Sequence, residues 1–321
     1  MTRKQIKPYL EQVKGNTRCI VTGYARIPLY QLDKNRVVLI DSGLPDDGEE
    51  LVQLLKENQM EVAAVLTSHT HPDHAGNHRL LQDTFGAQIY MTPLAKATMS
   101  DPMSMYAILG TKAGYHKSIN RLGKGVRTDV VLPWEDGEVC VEGATFRYIT
   151  TAGHCAEHLC YITPDNVAYL GDAILSPKLI QAIRLPYCVC LEAYMEALEK
   201  IAELNCDQYI FAHNGVETDI RQAVQITKDT LKNRLDRLEL LAETPVTLDE
   251  LVKKFLVQTK ADLTSWRSVN GVGFNAKAFA GYLVDSDRLK FILEDGIMKY
   301  VRVDKNEQKT HTPEKEISKY T

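Results

Sequence analysis

The chain has 321 residues, 44% of them apolar and 25% charged, with a formal net charge of −4. That length holds one large domain with a small one, or two of moderate size. The charge balance argues against a nucleic-acid binder driven by overall positive charge, though not against a local basic groove. No apolar run reaches the ~18 residues that would span a membrane.

The N-terminal MTRKQIKPYLEQVKGN is basic without a following apolar segment, so it does not read as a secretory signal. Short β-like runs follow at Arg18–Thr22, Ile27–Leu32 and Arg36–Ile40, then a helical pattern over Asp47–Asn58 with Leu51, Leu54 and Leu55 on one face. VAAVLTSH reads as a buried strand, Asn77–Phe85 as a helix and AQIYMT as another strand. This alternation is the signature of a layered α/β architecture. Residues 92–130 carry methionines and tyrosines with weak strand signals and read as short helices and loops, a candidate lid. Strands resume at VVLPW, GEVCVEG, ATFRYITT, HLCYITP and NVAYLGD. An amphipathic helix over Leu191–Asn205 and the strand CDQYIFAH come next. A charge-laced helix is expected over 217–242, then a Thr/Asp-started helix in TPVTLDELVKKF. FNAKAFAGYLVDSDRLKFILEDG and IMKYVRV read as helix, helix and strand. The expected organisation is a catalytic domain over 1–240, a small winged-helix-like domain over 241–303 and a disordered polar tail over 304–321. The seven cysteines, with no CxxC among them, read as reduced and mostly buried thiols of a cytoplasmic protein.

The chemistry concentrates in TSHTHPDHAGNH, Thr67 to His78. His69 and His71, two apart at a strand end, point to one side of the chain. Asp73 and His74 follow in a turn stiffened by Pro72, and Gly76 permits tight entry into the next helix. Three imidazoles and a carboxylate form an N/O donor set suited to zinc, or to iron or manganese. One such cluster cannot fill two metal shells. His154, Asp172 and His213, each after a buried-looking strand, are the candidates to complete them. His78 is expected on the helix surface or behind the ligands, and His158 buried or behind them. His116 and His311 have no context for ligation. Asp41, in VVLIDSG, reads equally as a turn former and as a carboxylate orienting a ligand histidine.

THTHPDHAGN resembles the H-x-H-x-D-H signature of the metallo-β-lactamase superfamily, and the later GH, GD and H elements occur in that family's order. The resemblance covers about residues 17–240. It implies an α/β fold, a four-layer αβ/βα sandwich. It also implies that His69, His71 and His154 hold one metal and Asp73, His74 and His213 a second, with Asp172 bridging them. The pattern looks like the glyoxalase II and lactonase branch. It departs from the family where GHTPGH becomes GHCAEH, with Cys155, Ala156 and Glu157, and where HG becomes AHNG. The cofactors implied are two divalent ions, Zn2+ first, with Fe or Mn as alternatives.

The activity implied is hydrolysis of an acyl thioester, ester or lactone of a small molecule by a metal-bound hydroxide, with Asp73 or Asp172 accepting the proton. No G-x-S-x-G is present. In the candidate lid, Met99, Met103, Met105, Tyr106 and Tyr115 offer either a flexible apolar surface for an acyl group or simple packing. Two rival readings stand beside it. The C-terminal segment resembles a small winged-helix-like domain attached to a lactamase-like subgroup, some of whose members cut single-stranded RNA. Such domains also serve as lids or homodimer contacts. A mononuclear iron persulfide dioxygenase uses a similar motif with fewer ligands.

Overall fold

The apolar runs between residues 9 and 217 become the strands of two mixed sheets. The computed structural model describes residues 6–101, 104 and 125–304. These divide into one unit built from residues up to Ile180 together with Ala193–Thr227, and a second built from Gln181–Glu192 and the chain from Lys228 onward.

In the first unit one sheet runs in chain order: β1 (Tyr9–Lys14), β2 (Thr17–Val21), β3 (Arg26–Gln31), β4 (Arg36–Ile40), β5 (Glu61–Leu66), β6 (Gln88–Met91) and β7 (Val130–Val131). The second contains β8 (Gly137–Val141), β9 (Ala144–Thr150), β10 (Leu159–Ile162), β11 (Val167–Tyr169), β12 (Gln208–Ile210) and β13 (Val216–Glu217), in the order 13-12-11-10-9-8. The period of two along β4 divides its side chains between two cores. Val37 and Leu39 pack with Leu51, Leu54, Leu55 and Leu81 from the helices Gly48–Glu57 and His78–Phe85. Val38 and Ile40 face Phe146, Tyr161, Tyr169 and Ile210 of the second sheet. Each fully buried side chain of this kind stabilises by about 1.5–3 kcal/mol. With helices outside both sheets, the result is the four-layer αβ/βα sandwich that the motif order implies.

Two features of this unit go beyond the sequence reading. A strand, β1, precedes the first expected β-like run and pairs antiparallel with β2. Met99, one of the apolar residues assigned to the lid, is buried in the core cluster on the outer side of the first sheet, on the helix Pro93–Ser100 capped by Thr92. Its unbranched thioether fills core space rather than lining a substrate surface. Met103, Met105, Tyr106, Tyr115 and His116 lie outside the described residues, as does His311.

The second unit contains the helix Leu248–Gln258, started by a capping box between Thr247 and Glu250, and the helix Trp266–Asp285. Leu251, Phe255, Phe279, Leu283 and Leu289 are buried within it. The segment after this long helix is a hairpin, not a further helix: β14 (Leu289–Glu294) pairs antiparallel with β15 (Ile297–Arg302). The deciding signal is Asp295-Gly296, both at positive φ (51° and 75°), the pair that a tight two-residue hairpin turn prefers. Among the described residues no helix is long and apolar enough to cross a membrane.

Candidate metal centre

β4 and β5 run parallel, as do β11 and β12, so the C-terminal ends of four strands deliver Asp41, the histidine turn, Asp172 and His213 to one edge. The turn after β5 is tight because Gly76 lacks a Cβ. One placed there would lie 2.4 Å from the Pro72 carbonyl oxygen and 2.6 Å from that of Gly43.

The seven residues form two groups of donor atoms: His69, His71, His154 and Asp172 in one, Asp73, His74, Asp172 and His213 in the other. In the first, His71 Nδ1 lies 3.0 Å from His69 Nε2 and 2.9 Å from His154 Nε2, and His154 Nε2 lies 3.3 Å from Asp172 Oδ2. In the second, Asp172 Oδ1 lies 3.3 Å from His213 Nε2 and 3.6 Å from His74 Nε2, and Asp73 Oδ2 lies 3.5 Å from His213 Nε2. Donors held roughly 2.0–2.2 Å from one tetrahedral ion sit about 3.3–3.6 Å apart, so both groups have nearly the right span. Asp172 turns one oxygen to each group.

His74 Nε2 and Asp172 Oδ1 are buried and have no hydrogen-bond partner. Leaving such atoms unsatisfied costs about 1–3 kcal/mol each, which a cation at the meeting point offsets. The residues present therefore fit divalent metal.

The surroundings orient the donors. Asp41, at φ 67°, accepts hydrogen bonds from Ser68 N (2.8 Å), Ser68 Oγ (2.6 Å), His74 Nδ1 (2.8 Å) and Tyr169 OH (2.8 Å). Of its two readings, the structure supplies the orienting contact and the strained turn together. Ser68 Oγ also lies 3.0 Å from His69 Nδ1, leaving Nε2 for the centre. His158 is fully buried, with Nδ1 2.8 Å from Thr151 Oγ1 and Nε2 accepting from the Asp172 amide at 3.0 Å. His78 is not on the helix surface: it is fully buried between Ser42 Oγ (2.7 Å) and Thr67 Oγ1 (2.9 Å). The two hydroxyls come from the ends of β4 and β5, a convergence that helical spacing alone does not show. Where the family writes GHTPGH, Glu157 is buried and accepts from Thr70 Oγ1 at 2.6 Å, tying the His154 loop to the histidine turn. Burial and that carboxylate push the Cys155 thiol well up, so it is held protonated. All seven cysteines are free, with Cys140 and Cys190 exposed and the rest buried.

Burial, together with neighbouring histidines, keeps His69 well below its ordinary value. Burial depresses His71, and carries His154 to about 3 against the opposing pull of Asp172. Burial also acts downward on His74 and His213, but Asp172 and Asp73 outweigh it, raising His74 well above 6.5 and His213 to about 10. Burial works upward on Asp73, yet His74 and His213 bring it to about 2. In the metal-free protein, protons on His74 and His213 thus balance the carboxylates. Metal needs those imidazoles neutral, so loading between pH 7 and 8 is expected to release protons. Calorimetric titration with Zn2+ in buffers of different ionisation enthalpy measures the number; a buffer-independent heat would contradict it.

Burial lowers His78 to about 4 and His158 to about 3. The unfolded chain protonates these residues near 6.5 and the folded chain does not. Their stabilisation is therefore complete above 6.5 and is lost as pH falls towards 4 and 3. At ~1.4 kcal/mol per pH unit, His78 alone accounts for roughly 3 kcal/mol. The melting temperature of chelated protein is expected to fall steeply from pH 6.5 to 4, and His78→Gln to flatten that slope.

The sequence model of the metallo-beta-lactamase superfamily matches residues 29–213. The chain belongs to this superfamily. Solved metallo-β-lactamase-fold relatives include a metallo-beta-lactamase family protein from Thermus thermophilus (TM-score 0.69, 19% identity, covering 92% of this chain and 99% of that one). A beta-lactamase domain protein from Burkholderia ambifaria aligns similarly (TM-score 0.70, 18% identity, 92% and 93%). Two proteins of Aspergillus fumigatus are similar in sequence. One is the lactamase-like protein nscB, 29% identical over 64% of this chain and 49% of its own length. The other is an atrochrysone carboxyl ACP thioesterase, 30% identical over 72% of this chain and 60% of its own length. The chain thus spans about half the length of the first relative.

Proposed function

We propose that the chain is a metal-dependent hydrolase that cleaves an acyl thioester of a small molecule, with esters and lactones as the neighbouring chemistry. The observation that carries this reading is Asp172, which presents Oδ2 to one donor group and Oδ1 to the other. Two groups sharing one carboxylate support a site for two divalent ions, Zn2+ first, over the single-iron oxygenase. Such ions lower the pKa of a water and polarise a carbonyl when bound. His69, His71 and His154 would hold one, Asp73, His74 and His213 the other, and Asp172 both.

The remaining work falls to the chain's own residues. Asp73, the most exposed of these carboxylates, is held ionised by His74 and His213 against its burial, so at neutral pH it is an acceptor that can orient a proton donor and relay its proton rather than retain it. Asp41 holds the Nδ1 proton of His74 and keeps its Nε2 facing the donors. Ser68 does the same for His69. Thr151 fixes His158, whose Nε2 accepts from the Asp172 amide and positions that residue's backbone. The relative named as an acyl-carrier-protein thioesterase supports a thioester among the candidate bonds.

Thiol release from a panel of acyl-coenzyme A and acyl-glutathione thioesters, with zinc-reconstituted protein and a chelated control, tests the proposal. Turnover that a chelator abolishes and zinc restores is the expected result. No release by fully metal-loaded protein would overturn the thioester assignment and move the search to lactones, whose hydrolysis is followed by proton release.

A further inference from the structure

The second unit contains a cavity of about 350 Å³, and all of its lining residues belong to that unit. Three arginines dominate its wall. Arg234 and Arg237, three apart on the helix Arg221–Leu241, share a helix face, and Arg184 comes from the segment 181–192. Gln181, Ala182, Ile183, Thr259 and the buried Phe255 complete the lining.

Backbone carbonyls and a hydroxyl accept hydrogen bonds from two of the arginines. Arg234 donates from Nε to the Ile183 carbonyl (3.3 Å) and from one terminal nitrogen to the carbonyls of Ile183 (2.7 Å) and Gln181 (3.2 Å). Arg184 Nε donates to Thr259 Oγ1 at 3.2 Å. Two acids of the same helix are engaged with other cations. Asp236 pairs with Lys232 and Arg288, both at 2.8 Å, and Glu239 with Arg288 at 2.5 Å. Neither Arg184 nor Arg237 forms an ion pair among the described residues. Burial and the charge of Arg237 lower the Arg234 guanidinium below its ordinary value, the mark of like charges held together.

Gathering guanidinium groups around a partly enclosed space is unfavourable until an anion enters. Their planar forks match phosphate oxygens better than any other common biological anion except a carboxylate. The volume lies at the lower end of small-molecule pockets, large enough for more than a bare ion. We propose that this cavity binds a phosphate-bearing small molecule, with Arg184, Arg234 and Arg237 on the phosphate and Thr259 and Phe255 against the remainder. The site is separate from the metal residues, and its test does not depend on turnover.

The probes are inorganic phosphate and adenosine 3′,5′-bisphosphate, titrated calorimetrically into the metal-loaded full chain and into the double variant Arg184→Gln/Arg237→Gln. Saturable binding by wild type, weakened about tenfold or more in the variant, is the expected result. Tighter binding of the bisphosphate identifies a nucleotide-like ligand; equal binding identifies a bare phosphate subsite. The double variant should melt close to the wild-type temperature, because it loses repulsion together with one part-buried hydrogen bond; Arg237→Gln alone, which removes no hydrogen bond or ion pair seen among the described residues, serves if it does not. Binding that persists unchanged in the variants belongs to the metal residues or elsewhere and overturns the proposal. So does an absence of binding by either probe, or binding confined to a single-stranded oligoribonucleotide.

Discussion

Asp172→Ala is expected to lower thioester turnover by at least about three orders of magnitude, a larger loss than any other single change in the centre. The reason is geometric. Asp172 belongs to both donor groups, so its removal takes one oxygen from each. It also removes negative charge facing His74, His154 and His213, whose nearest nitrogens lie 3.3–3.6 Å from its two oxygens. The residue left behind would lie among imidazoles with less reason to remain neutral or to converge. Asp172→Asn tests charge against shape: it keeps the volume and one oxygen, and should retain less than about a hundredth of wild-type turnover. Steady-state thiol release at saturating zinc measures both. Normal turnover in either variant would remove Asp172 from the chemistry.

Asp41→Ala is the second large effect, and it falls on stability as well as metal affinity. Asp41 touches neither donor group's open side, yet four donors end on its carboxylate: Ser68 N, Ser68 Oγ, His74 Nδ1 and Tyr169 OH. All are buried, and each orphaned donor costs about 1–3 kcal/mol. The relaxation of Ser68 and Tyr169 towards other partners recovers part of this, leaving an expected loss of roughly 3–5 kcal/mol. A freely turning His74 should also weaken metal binding about 10- to 100-fold. Denaturant unfolding of chelated protein reads the first effect and competition with a chromophoric chelator reads the second. Tyr169→Phe, which removes only one of the four donors, should give a small fraction of both losses. If Asp41→Ala lowered stability without weakening metal affinity, its role would be confined to holding the turn.

Much of the centre was legible because its information is local. His69-x-His71 at a strand end and Asp73-His74 in a proline-stiffened turn carry their geometry in spacing, and the strand-end placement of His154, Asp172 and His213 follows from apolar runs before them. The contacts that orient these residues were less visible, since they join positions far apart in the chain. Ser42 meets His78 across 36 residues and Glu157 meets Thr70 across 87. Helical spacing alone therefore left His78 open to the surface, and the GHCAEH departure gave no hint that its glutamate would bind the opposite turn. Local information was also misread once. The apolar density of LKFILE suggested a helix, whereas the Asp295-Gly296 pair already specified a hairpin. The arginine cavity was invisible for the same reason as Glu157: Arg184 and Arg237 are 53 positions apart, and only the fold brings both to one wall.

The most direct test of the account is the metal content of the purified chain after reconstitution with zinc and removal of the excess, measured by elemental analysis against protein concentration. The wild-type chain is expected to retain close to two ions. His69→Ala and His213→Ala should each lose about one, and Asp172→Ala more than either. A chain that retains no zinc, or variants that keep the wild-type ratio, would contradict the assignment of these seven residues as a two-ion centre.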